Sequence, residues 1–159
     1  MRQALLPAAL LCAALGLALS HAAKPARPAA LAAAIAILTA LIPLSGLSPD
    51  LAFTGGWLTI LITAAGIHLP PAWRHKAVLY ALAALTGLFA GLVTHIQGGA
   101  LTLLPALPLL LLFIPGAWLI RRNWGIGLKI VCSWLIAIAL LEIGLNFVPT
   151  PGYMPDHMD

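Results

Sequence analysis

Acidic side chains are nearly missing from this sequence: four in 159 residues, against eight lysines and arginines. Charged residues of both signs make up 8% of the chain, where soluble domains carry roughly 25%. So few charges cannot cover a water-facing surface, which excludes a soluble globular protein. Cysteine is scarce too. The two present, Cys12 and Cys132, fall in different apolar runs and read as small packing residues rather than a disulfide. There is no C-x-x-C pair, no zinc spacing and no glycine-rich phosphate loop, so no motif supports redox, structural-metal or nucleotide chemistry. No period indicates a repeat.

What is present is apolar: 62% of residues are hydrophobic and the mean hydropathy is +1.06. Crossing the hydrocarbon core as a helix takes about 20 apolar residues. Six runs qualify, 3–22, 29–47, 51–69, 77–96, 100–120 and 130–148. The connections between them are short and carry proline, glycine or charge. Proline after an apolar run stops a helix, because it lacks the amide donor and clashes with the preceding turn. Short connections make consecutive helices antiparallel neighbours. The predicted fold is therefore all-α, a polytopic membrane protein built as an up-down bundle of six transmembrane helices over 1–148, with a short extramembrane tail at 149–159.

Lysine and arginine fix the expected orientation. Lys24, Arg27, Arg74, Lys76, Arg121, Arg122 and Lys129 all fall on one side of the bundle, and only Arg2 falls on the other, with Asp50, Asp156 and Asp159. Basic loops stay in the cytoplasm, so both termini are expected outside, in the periplasm of a bacterial inner membrane. The net charge of +4 then marks orientation, and no nucleic-acid partner is expected. A cleaved leader is the rival for the first run, since Arg2, an apolar stretch and Ser20-His21-Ala22 resemble one. Cleavage would export the basic loops, and the charge bias argues for retention. Trp73, Trp118, Trp124 and Tyr80 collect at the inner boundary, and Trp57 and Tyr153 toward the outer one, as interfacial belts do. Trp134 is expected to pack between helices.

The chemistry concentrates in 129–149, whose Glu142 is the only acid inside any apolar run. An intramembrane carboxyl needs a partner, a proton or a water-filled cavity. Asn146 lies one helical turn on, and His95, beside Thr94 and Gln97, closes the fourth run at its outer end, where it would face Glu142 or Asp50 from a neighbouring helix, so Glu142, Asn146, His95 and Gln97 form the candidate polar site. Two readings follow, a hydrogen-bonded tie between helices or a proton or cation site. His68 and His95 fall at opposite ends of the bundle, which excludes a haem held between them.

Ala83, Gly87, Gly91 and His95 recur every four residues, and Gly87-x-x-x-Gly91 is a small-residue motif for close helix packing. Gly55, Thr59 and Thr63 make a second such face. Pro105, Pro108 and Pro115 break the fifth run and predict a bend, the kind of interruption that marks binding sites in transporters. In the tail, Met154, His157 and Met158 with Asp156 and Asp159 suit copper in type, but docking on a partner is the simpler expectation.

No cofactor and no metal are expected. The leading function is a structural or assembly subunit of a larger membrane complex, with the bilayer, other membrane subunits or further copies of the chain as partners. The alternative is a small proton- or cation-coupled transporter or channel using Glu142. A membrane enzyme ranks last, because catalysis needs converging acid, base or metal ligands.

Overall fold

The computed structural model describes residues 2–42, 48–70, 75–97 and 100–147. Among the described residues there are helices and turns and no strand. Helix α1 spans Arg2–Leu19, α2 Ala26–Leu41, α3 Pro49–Gly66 and α4 Lys76–Gln97. The fifth run forms 3-10 turns at Ala100–Leu103 and Leu107–Leu112, and only then α5, Phe113–Arg121. Helix α6, Gly125–Phe147, follows. Three segments, Lys76–Ile96, Leu101–Arg121 and Gly125–Phe147, are long and apolar enough to cross a membrane, while Leu6–Leu19 and α2 are shorter apolar helices.

Local chemistry sets the helix ends and moves several away from the hydropathy runs. Ser48 caps α3: its Oγ accepts the Leu51 N–H at 3.3 Å, and Pro49 takes the first helical position, so the helix starts before its apolar run. The run 29–47 predicts a longer second helix than is found. α2 stops at Leu41, because Ile42 precedes Pro43 and is held extended, with φ −75° and ψ 127°. The rest of that run, 43–47, lies outside the described residues. The α5–α6 hairpin turns on Asn123, whose φ of 59° is left-handed backbone that asparagine tolerates. Trp124 N–H donates back to the Leu119 carbonyl at 2.9 Å, and Arg122 lays its guanidinium 4.9 Å over the Trp118 ring.

The packing centre is α1 rather than the last helix, which corrects the emphasis on 129–149. α1 packs against α3, α4 and the fifth run at once, and buries Leu11, Leu15 and Leu19 completely or nearly so. Helix α6 lies on α3 and touches α1 and α5 only lightly. Half of the α4 span is buried (50%), against 22% for α6. Alanines at 8, 14 and 18 are small enough for α1 to be surrounded, whereas α6 offers bulky side chains outward.

Helices α2 and α4 share the most extensive seam. Ala83 is fully buried, and a Cβ added at Gly87 would stand 2.5 Å from the Ala32 carbonyl oxygen. One at Gly91 would stand 2.6 Å from the Ala36 carbonyl oxygen and would collide with the Thr39 hydroxyl. The two backbones meet where no larger side chain fits. Gly16 admits the fifth run in the same way, since a Cβ there would stand 2.6 and 2.9 Å from the carbonyl oxygens of Leu109 and Leu110.

Two tryptophans depart from expectation, Trp57 from the interfacial belt and Trp134 from a place between helices. Trp57 is buried, 2% exposed, and meets Phe53 edge-on with ring centroids 6.0 Å apart. Trp134, expected between helices, is 71% exposed, because α6 lies at the periphery and turns that side away from α3.

Candidate functional site

The buried seam of α6 is Leu128, Cys132, Leu135 and Ala139. One more step of three along that seam reaches Glu142. It is half-buried and sits at the rim, where the seam gives way to the exposed apolar side chains of Ile138, Leu141 and Leu145. Among the described residues its carboxyl makes no hydrogen bond and no ion pair. Asn146, one turn further on, is exposed.

The other members of the sequence-derived polar site go elsewhere. His95 Nδ1 lies 3.2 Å from the Ala40 carbonyl oxygen, so its ring serves α2. Thr94 donates to carbonyls of its own helix, Ala90 at 3.0 Å and Gly91 at 2.9 Å. The side chain of Gln97 lies outside the described residues. The structure therefore keeps Glu142 and Asn146 on α6 and does not bring His95 to them.

Ser133 Oγ lies 3.5 Å from His68 Nε2, which pins the start of α6 to the turn after α3. Equal rises along two antiparallel helices then bring Glu142 to about the level of Thr59. Thr59 donates its hydroxyl proton back to the Gly55 carbonyl at 2.8 Å, so that proton is not available to Glu142. Trp57 stands within a turn of that level, and its buried Nε1 has no partner, as is also true of the Thr63 and Thr86 hydroxyls. A buried polar group left unsatisfied costs about 1–3 kcal/mol. The core therefore carries donors to spare, while the one carboxyl near it stays unpartnered.

The fifth run is broken over its prolines. Pro105 and Pro108 supply no amide hydrogen, and the bonds that remain around them are short-range, Ala106 N–H to the Leu103 carbonyl at 2.9 Å and Leu109 N–H to the Ala106 carbonyl at 3.1 Å. Pro115 sits inside α5 and is exposed. The irregular stretch turns its Leu109 and Leu110 carbonyls onto Gly16 of α1. Between it and α2 runs an apolar groove, two cavities of about 490 and 210 Å³ that share Leu104 and Leu107, with Pro108 on the wall of the larger. Among the described residues, the groove beside the break is lined by apolar side chains.

Among the described residues no three His, Cys, Asp or Glu side chains come together to hold a metal ion. Cys12 and Cys132 are free thiols, both buried. Met154, His157 and Met158 lie outside the described residues. One cluster goes unanticipated by the sequence reading: Lys24, Arg27, Lys76 and Tyr80 line a common cavity. Its signal in the sequence is the pair of basic stretches that open α2 and α4, which the positive-inside pattern alone explains as orientation.

Comparison of the chain with family models, with curated proteins and with solved structures found no match to any of them. The described residues form an all-helical protein with three helical segments long and apolar enough to cross a membrane.

Proposed function

We propose that this chain is a multi-pass inner-membrane protein whose six helical segments cross the bilayer with both termini outside, and that it serves as a non-catalytic structural or assembly subunit docking through α6. The observation that carries the reading is Glu142, a carboxyl within a long apolar helix that has no partner among the described residues. Lipid can cover Ile138, Leu141 and Leu145, but it cannot satisfy a carboxyl at that depth. A transmembrane helix of another subunit, bearing a hydrogen-bond donor or a cation opposite Glu142, can. Asn146 is exposed on the same helix and extends the polar strip.

Charge supports the orientation. Lys24, Arg27, Lys76, Arg121 and Lys129 sit at the α1–α2, α4 and α5–α6 ends of the bundle, and Asp50 opens α3 at the opposite end. Compartment-reporting tags fused to either terminus are expected to read outside. A cytoplasmic C-terminus would overturn the topology. Purification from native membranes in mild detergent is expected to yield the chain in a stable complex larger than itself. A lone monomer that carries out proton-dependent uptake would replace the subunit reading with the transporter.

A further inference from the structure

The basic residues at one end of the bundle do more than fix orientation. Lys24 and Arg27, on the α1–α2 turn and the first turn of α2, face Lys76 and Tyr80 on the first turns of α4 across a cavity of about 200 Å³. Pro28, buried, and Leu79, half-buried, form its floor. Three positive charges from two separate stretches of chain are thus held around one concavity. Among the described residues none of the three is neutralised: no ion pair or hydrogen bond engages them. The described carboxylates do not reach them, for Asp50 opens α3 at the far end and Glu142 lies about 14 Å along α6 from Ser133. The amino end of α2 adds to the positive field, with Pro25 as its cap residue and no side-chain cap on its first amides.

Like charges held together without counter-charge repel, and an anion relieves that repulsion. We infer that this cavity binds a phosphate group, and that the phosphate is the headgroup of an anionic phospholipid. The guanidinium of Arg27 suits two phosphate oxygens at once, the lysines supply point charges, and the Tyr80 hydroxyl donates. The volume far exceeds the ~10–15 Å³ that one water requires, which is room for a phosphate-bearing headgroup. The surroundings favour lipid over free phosphate. The apolar groove between α2 and the fifth run begins at Ala26, the residue before Arg27 in the chain, and reaches Leu41. It shares no lining residue with the basic cavity, but runs roughly 22 Å along the same helix, where an acyl chain would lie. Basic pockets between helices at the cytoplasmic face are suited to acidic lipids. The inference rests on the membrane-spanning part of the reading above and not on a partner for α6, so the two can fail separately.

The test titrates the full chain, purified in neutral detergent, with phosphatidylglycerol, phosphatidylcholine and inorganic phosphate in turn, and reads bound ligand by native mass spectrometry. Phosphatidylglycerol is expected to bind at least tenfold more tightly than either of the others. Lys24→Gln, Arg27→Gln and Lys76→Gln should each weaken it about fivefold, the equivalent of about 1 kcal/mol per cation. Tyr80→Phe removes one hydroxyl and keeps the ring, so it reads the site even where a charge change disturbs folding; about a threefold loss is expected. Arg121→Gln, basic and exposed at the same end but outside the cavity, should change nothing. An equal loss in Arg121→Gln would reduce the effect to general surface charge and overturn the site. Inorganic phosphate binding as tightly as the lipid would overturn the lipid assignment.

Discussion

Gly91→Leu is expected to remove most folded protein from the membrane, and Gly87→Leu nearly as much. A side chain at Gly91 meets the Thr39 hydroxyl and, at 2.6 Å, the Ala36 carbonyl; at Gly87 it meets the Ala32 carbonyl at 2.5 Å. Those carbonyls are helix backbone and cannot step aside unless all of α2 moves. Overpacking a tight core costs about 1–3 kcal/mol and sometimes more. At the upper end, Tm in detergent should fall by roughly 10 °C for a chain of this size. Gly144→Ala is the control, because nothing lies within 4 Å of a Cβ there. It should hold Tm or raise it slightly, by relieving the helix of a flexible residue. Equal melting of the Gly91 and Gly144 variants would mean that α2 and α4 do not meet as described.

Glu142→Leu is expected to do the reverse: leave the isolated chain as stable as before and release it from the partner subunit proposed for α6. The carboxyl makes no hydrogen bond or ion pair among the described residues, so leucine there loses no internal bond and suits lipid better. Interhelical polar contacts in membranes contribute about 0.6 kcal/mol on average and up to roughly 1.7. That corresponds to about a three- to twentyfold weaker association, read as loss of co-purifying subunit at unchanged expression. Glu142→Gln separates the two function classes. It retains a hydrogen-bonding side chain of the same size, so assembly should persist. An uptake activity abolished by Gln with assembly intact would instead assign the carboxyl to proton or cation movement, since an amide cannot titrate.

The parts of this structure legible in the sequence are those where a residue type has one physical use in an apolar chain. Gly87 and Gly91 mark close approach because only a missing side chain allows it. Pro105 and Pro108 mark lost helical bonds because proline has no amide hydrogen. Which helix is surrounded was not legible. Lipid and protein interior are equally apolar, so the buried Leu11 and Leu15 of α1 and the exposed Leu140 and Leu141 of α6 are the same kind of residue. Trp57 and Trp134 exchanged expectations for the same cause. A tryptophan's height in the membrane follows from counting, but whether it faces inward depends on helix rotation. His95 reaches the Ala40 carbonyl of α2 rather than Glu142, because depth along a helix does not order helices around a bundle.

The most direct test of α6 as a docking element is photo-crosslinking in native membranes. A photoreactive residue is placed at Leu141 or Leu145, beside Glu142, and for comparison at Leu38 of α2 and Ile62 of α3, which are similarly exposed. The subunit reading expects a discrete protein adduct from positions 141 and 145, lost in the Glu142→Leu background, with only lipid adducts from 38 and 62. Lipid adducts alone from all four positions would contradict it.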